Sequence, residues 1–268
     1  MKTLYVLLLA GITLLMGCDS IDSDHRFIEV PAATIQRNVL IEDFTGQRCI
    51  YCPQATEAIS QLQATYGADK LIAVAIHAGP LALQTTPNFV GLRTDVGDTY
   101  YQHWAIPNVP KAIFDRRGGA LPKEAWPGQV YEEFNRTTTV GIELKCQYTT
   151  TNQRVEIETD LKTLTNDIHG LLQLWLVEDG IVAPQLFPNN KLDKNYIHHH
   201  VLRAAINGDW GKALTLSAKQ AHKELTTYTL PQGIKPDKAW IVAFFYNESG
   251  VLQVTRQDRK STRLNSSH

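Results

Sequence analysis

The chain lacks the continuous apolar run of about 20 residues that a spanning helix needs, which excludes a polytopic membrane protein built from helices. It also lacks an excess of either charge. The formal net charge is −1 with 20% charged residues, so there is no basic stripe of the kind that releases counterions from a nucleic acid. Cysteine is scarce: four in 268 residues do not make a disulfide-rich scaffold. No Gly-x-Ser-x-Gly elbow, phosphate-binding glycine loop or His-Glu-x-x-His helix occurs. What is present is 43% hydrophobic residues, enough to fill one large core or two modest ones.

The two ends read differently from the middle. Lys2 precedes an apolar run from Leu4 to Leu15, followed by Met16-Gly17-Cys18. A basic start, a dozen apolar residues and a small residue before a cut is the pattern of an export signal. Ending in Leu15-Met16-Gly17-Cys18, residues 1–18 resemble a bacterial lipobox, although Met16 departs from the small or β-branched residue usual there. That resemblance makes Cys18 the acylated first residue of the mature protein, held on a membrane by chains worth about 0.8 kcal/mol per buried CH₂. The competing reading is ordinary secretion with an incidental Cys18. Residues 19–36, with Asp19, Asp22 and Asp24, form an acidic, polar tether. At the other end, residues 258–268 read DRKSTRLNSSH, with no apolar period. They look like a translated sequencing adapter and are set apart as non-native, which implies a truncated natural C-terminus.

Residues 37–136 alternate strand and helix. Val39-Leu40-Ile41 with Phe44 is a compact apolar strand, and Leu71–Ile76 is a near-continuous apolar run expected of a strand buried on both faces. Pro53 to Tyr66 is helical in period, with Ala55, Ala58, Ile59 and Leu62 on one face and Gly67 as a stop. A second helix is expected near Thr94 to Trp104, a strand at Ala112-Ile113-Phe114, a turn at Gly118-Gly119 and a closing helix from Lys123 to Phe134. This alternation implies crossover units and a mainly parallel sheet. After Asn135 the pattern changes. Val140, Ile142, Leu144, Cys146 and Tyr148 alternate with polar residues, and Val155–Glu158, Leu171–Val177 and Trp240–Tyr246 are further strands. Residues 137–257 therefore read as an antiparallel, immunoglobulin-like sandwich.

Cys49-Ile50-Tyr51-Cys52 lies between the first strand and the first helix. A lone Cys-x-x-Cys can be half of a zinc site, but no second pair is present: Cys146 stands alone and Cys18 belongs to the leader. At a helix start the first sulfur meets unpaired amides and the positive end of the dipole, where a thiolate is stabilised. Arg48 adds a positive charge nearby.

The segment Val39–Phe44, Cys49–Cys52 and the following helix resemble thioredoxin-like proteins over residues 37–136. The resemblance implies that Cys49 attacks, Cys52 resolves, and Asp43, six positions before Cys49, moves protons as the buried acid of that family. Glu42 is the substitute if the strand register shifts by one. It also implies a cis proline before the strand at Ala112, at Pro110 with Pro107 as a competitor, and contact of a client with Val109, Ile50 and Tyr51. A cis bond is unusual, at about 5–6% of X–Pro bonds. The lipobox, the Cys-x-x-Cys half, Ile106-Pro107-Asn108-Val109-Pro110 and His198–Ala205 together resemble the 28-kDa outer-membrane-protein-related lipoproteins of Bacteroidetes. That implies a lipid-anchored protein of a Gram-negative cell envelope, in the outer membrane, without fixing which leaflet it faces.

Two functions follow from this reading: a thiol–disulfide oxidoreductase acting on exported protein clients, or a non-enzymatic adhesin or binding subunit with a static disulfide. The Ile50-Tyr51 spacer leaves the direction of exchange open. No cofactor, metal or nucleic acid is expected. Along an extended segment only His198 and His200 of the three consecutive histidines share a face, and Cys146 is expected to pack as a small hydrophobe.

Overall fold

Two parallel strands lie at the middle of the fold: β1 (Val39–Thr45) and β2 (Leu71–His77), with Val39 opposite Leu71. Almost every side chain in them is buried, which explains why both segments are apolar throughout rather than alternating. The computed structural model describes residues 35–257, all within one compact unit, Thr34–His268. The crossover from β1 to β2 carries α1 (Cys52–Tyr66), which has Pro53 in its first turn and ends at Gly67 with φ 91°. The second helix, α2 (Asp95–His103), is capped by the Thr94 hydroxyl, which accepts the Gly97 amide at 3.1 Å. β3 (Lys111–Phe114) then runs antiparallel to β1, β4 (Arg117–Leu121) pairs with β3, and α3 (Trp126–Phe134) follows.

One local expectation is corrected. Gly118 and Gly119 lie inside β4, and the turn is made by Asp115 and Arg116, at φ 49° and 54°. Left-handed backbone normally favours glycine. Here tertiary bonds hold it: the Asp115 carboxylate accepts the Leu40 amide at 2.8 Å and the Arg37 guanidinium at 2.5 Å, while Arg116 is buried with its Nε donating to Glu42 at 3.0 Å.

The remaining strands are β5 (Val140–Thr149), β6 (Arg154–Thr163), β7 (Ile168–Glu178), β8 (Ile181–Phe187), β9 (Lys191–His198), β10 (Val201–Ala205), β11 (Lys212–Leu216), β12 (Ala221–Thr229), β13 (Ala239–Asn247) and β14 (Gly250–Arg256). The main sheet has the order β14-β13-β7-β10-β2-β1-β3-β4, with β11 also on β7. It crosses residue 137 through a single bridge, Val201 opposite Ala75. The sheet β12-β6-β5 packs on one face of β7 and β13, where Ile157 and Leu161 meet Leu174, Ile241 and Phe245. β8 and β9 form a two-stranded ribbon of their own.

The largest core joins both sequence halves. Leu40, Phe44, Ile72 and Ile76 pack with Trp175, Val242, Phe244 and Val254. The sheet curls back on itself to do this: the Val251 amide donates to the Asp115 carbonyl at 2.7 Å, and the Asn38 side chain donates to the Val254 carbonyl at 2.9 Å.

Candidate functional site

Side-chain parity on β1 decides what surrounds the cysteines. Successive strand residues face opposite ways. Val39 and Ile41 pack against Ala55 and Ile59 of α1, so Asp43 and Thr45 continue that face. Leu40 and Phe44 belong to the largest core, and Glu42 shares their side, bonded to Arg116. Asp43 is therefore the carboxylate on the α1 side.

Cys49 and Cys52 form a disulfide where the loop after β1 enters α1. Tyr51 takes the N-cap position without a side-chain cap, and its own ring is 57% exposed. The sulfur-bearing residues are not exposed: Cys49 retains 3% and Cys52 2% of their surface. On one side of Cys49 lies the loop before β3. The Val109–Pro110 bond is cis, and the Val109 carbonyl oxygen sits 3.6 Å from Cys49 Sγ. Val109, Pro110 and Ile50 are half-buried, and Arg48 is exposed.

On the other side lies the β8–β9 ribbon, which comes from the far half of the sequence. The Gln185 side-chain amide donates to the Cys49 carbonyl at 2.9 Å, and the Leu186 amide donates to the Gln47 carbonyl at 2.8 Å. The Gln47 side chain ties the loop down from beneath, donating to the Pro184 and Val90 carbonyls and accepting the Leu92 amide. A row of rings runs from the ribbon into β2: Phe187 on Tyr196, Tyr196 on His198, and His198 on His77, with the last centroids 5.2 Å apart.

Beneath the ribbon is a small chamber lined by Cys52, Thr45, Thr56, His77, Gln185, Tyr196 and His198. Its electrostatics follow from desolvation. Burial holds His198 down at about 4 and keeps His77 well below the usual histidine range, and on the adjoining face of β1 it pushes Asp43 up to about 7. Asp43 Oδ1, His77 Nδ1 and His198 Nε2 make no hydrogen bond to the described residues. Outside the chamber, Ile50, Pro53, Gln54 and Glu57 form an open groove with Phe187 and Pro188 of the ribbon tip.

The chain thus brings together Cys49, Cys52, Ile50 and the Val109–Pro110 loop, with Tyr51 at the rim, while Asp43 lies buried on the α1 face of β1. Cys18, the tether to residue 34 and the tail from residue 258 lie outside the described residues. Cys146 lines a separate apolar pocket with Tyr148, Leu176 and Trp240, and burial pushes its thiol up to about 12. Of the three histidines, His198 and the half-exposed His199 both line the chamber, and the His200 amide donates to Asp179 at 2.7 Å. Sequence reasoning missed Gln47 and Gln185, because a glutamine in a loop or a short strand carries no local mark of a long-range partner.

Comparison with known proteins adds the family. No curated relative matches the sequence. Among solved structures, HBP35 of Porphyromonas gingivalis superposes with a TM-score of 0.68 at 18% identity, over 88% of this chain and 79% of that one. That is a likeness of fold. A domain of the outer membrane lipoprotein Omp28 from Porphyromonas gingivalis aligns at 24% identity, with a TM-score of 0.32, over 44% of this chain and 86% of that one. The model of the family described as outer membrane protein Omp28 matches residues 97–263, a span that begins beyond the cysteine pair. Because that match covers more than half of the sequence, this chain belongs to the Omp28 family of outer membrane proteins.

Proposed function

We propose that the protein is a surface or envelope lipoprotein of a Gram-negative bacterium, anchored in the outer membrane through Cys18, that works by binding rather than by catalysis. In this reading residues 37–136 are a thioredoxin-like module, residues 137–257 add an immunoglobulin-like sandwich layered on it, and the Cys49–Cys52 bond is a structural staple. The family supports the location. The strand order β2-β1-β3-β4 with Cys-x-x-Cys at the start of α1 supports the module.

The observation that carries the binding reading is the burial of both cysteines. An exchanging disulfide must present a sulfur to an incoming thiolate, and here Gln185 and its ribbon stand on the loop that holds Cys49. The test is the equilibrium of the bond with glutathione and dithiothreitol, read by thiol-labelling mass shift. A bond that stays closed below about −300 mV is the expected result, and a reversible couple above about −270 mV overturns it.

A second reading keeps the thiol–disulfide oxidoreductase. It is favoured by the Val109 carbonyl beside Cys49 and by Asp43, which at about 7 can take and return a proton near neutral pH. Cys49 as thiolate would then attack a client disulfide, releasing one client sulfur, and Cys52 would displace the second. Both client sulfurs end reduced and the pair ends oxidised. Cys52→Ser traps the mixed disulfide if this reading is right.

A further inference from the structure

The β8–β9 ribbon is placed unlike any other strand pair in the described residues. It joins neither larger sheet, and it is tied to the cysteine loop by the Gln185 side chain, the Leu186 amide and the Pro184 carbonyl. On the inner side Ala183 and Gln185 are buried, and the Gln185 amide, the Leu186 amide and Tyr196 reach the loop and first turns of α1. On the outer side Val182 and Ile197, directly opposite each other, are about half-exposed, at 52% and 51%. Left-handed residues bracket the ribbon: Gly180 at φ 68°, around which an added Cβ would meet nothing within 4 Å, and His200 at φ 58°. A ribbon outside both larger sheets, with no outer cover from the described residues and an open pivot at Gly180, can lift as a unit once the Gln185, Leu186 and Pro184 bonds to the loop are released.

We propose that the β8–β9 ribbon is an autoinhibitory cap: it shields the Cys49–Cys52 disulfide from thiols, and the bond reacts only when the ribbon lifts from the Gln47–Cys49 loop. This deepens the reading of a protected disulfide and rests on it, but it concerns the rate of attack rather than the equilibrium. Attack needs a thiolate in line with the S–S bond, and the ribbon and the Val109 loop flank Cys49 from two sides. With dithiothreitol as reductant, one thiolate forms a mixed disulfide and expels a cysteine sulfur. The second dithiothreitol thiolate closes the ring, leaving two cysteine thiols and oxidised reductant.

The experiment follows reduction of the full-length chain by excess dithiothreitol, quenched and mass-tagged over time. Gln185→Ala removes the bond to the Cys49 carbonyl, and Leu186→Pro removes the amide that reaches Gln47. A third variant replaces residues 182–197 with a short Gly-Ser linker. Expected rates rise by about 3- to 10-fold for Gln185→Ala and more for the other two, as loss of one or several net hydrogen bonds implies. Rates within twofold of the parent in all three overturn the cap. If the linker variant loses its cooperative melt, Gln185→Ala alone decides, with the rate in guanidinium marking the fully unfolded limit. Measuring the glutathione equilibrium on the same samples separates the two ideas. Accelerated rates with an easily reversible couple overturn the structural-disulfide reading and support the cap. Unchanged rates with a permanently closed bond do the reverse.

Discussion

Glu42 and Asp43 are neighbours on β1 and both are almost wholly buried, yet they sit in opposite electrical surroundings. Glu42 faces the core shared by the two halves of the chain, where Arg116 Nε donates to it at 3.0 Å. That guanidinium lies over the rings of Tyr246, Phe244, Tyr100, Trp175 and Trp210, at 4.3 to 5.5 Å from their centroids. Asp43 lies on the α1 face of β1, two residues before the chamber-lining Thr45, and among the described residues no cation contributes to its displaced pKa, of which burial is the cause. A buried carboxylate can be made tolerable by a partner or by a proton. The first choice fixes a seam between elements, and the second keeps a group able to change charge near neutral pH. Position on the strand, odd or even, is what separates a structural acid from a chemically available one.

Removing the partner should break this comparison most severely. Arg116→Ala leaves the buried Glu42 without its partner, so that it must take up a proton, and empties an aromatic box, so a loss of about 3–5 kcal/mol is expected in urea denaturation at neutral pH. Burial raises the Glu42 pKa even with Arg116 present. The double variant Glu42→Leu with Arg116→Met should recover most of the loss, because a buried pair replaced by apolar groups of similar volume is often close to neutral. If Arg116→Ala unfolds at the parent's midpoint, the pair is not holding the seam.

Asp43 and the chamber residue His198 should respond to pH in opposite ways. Folded Asp43 keeps its proton to about 7, whereas in the unfolded chain it ionises near 3.8. Its contribution is therefore complete below about 4 and is lost as pH rises toward 7. Asp43→Asn should gain on the parent by roughly 2–4 kcal/mol between pH 4 and pH 8. A flat difference across that range would mean Asp43 is ionised in the fold. His198, held down to about 4 by burial, carries the reverse sign. Its contribution is present above 6.5 and lost as pH falls toward 4, so His198→Phe should flatten the acid limb by about 1–3 kcal/mol. The His198 sign arises on the ribbon side of β1, whereas Glu42, whose pKa burial also raises despite Arg116, should add a dependence of the same sign as Asp43.

Much of this was legible locally. The apolar runs of β1 and β2, the period of α1 and the alternation in β5 mark elements whose burial is set by their own residues. Cys49, Cys52, Asp43, Val109 and Pro110 were named from spacing and resemblance; the two cysteines and the Val109–Pro110 loop lie together, and Asp43 is buried on the α1 face of β1. What stayed hidden depends on distant partners. In β12, Leu225 is 70% exposed while the polar His222 and Glu224 are partly covered, so the strand shows its apolar residue to solvent and gives no usable alternation. The ribbon holds Pro184 and Gln185 where an apolar repeat would have announced a strand, and its role comes from a hydrogen bond 136 residues away along the chain. The turn at Asp115-Arg116 likewise owes its left-handed backbone to Arg37, Leu40 and Glu42 rather than to glycine.

The smallest expected effect sharpens the same contrast from the surface. On the outer face of the β12-β6-β5 sheet, Lys145 and Lys223 both donate to or lie against Glu158 and Asp160, at 2.8 to 3.6 Å. Hydrogen bonds from Lys223 and then Lys145 hold Glu158 down to about 2. Distances alone would rank this ladder with the Glu42–Arg116 pair. Solvent separates them: water and salt screen the exposed charges, and ordering two long lysine chains offsets much of the attraction. The contribution is present above the ordinary glutamate range and fades as pH falls toward 2. Lys145→Ala should therefore leave the urea midpoint unchanged within error at physiological salt, and any shift seen at low ionic strength should vanish as salt is added. A midpoint shift comparable to that of Arg116→Ala would show that counting partners, rather than weighing their burial, predicts stability in this fold.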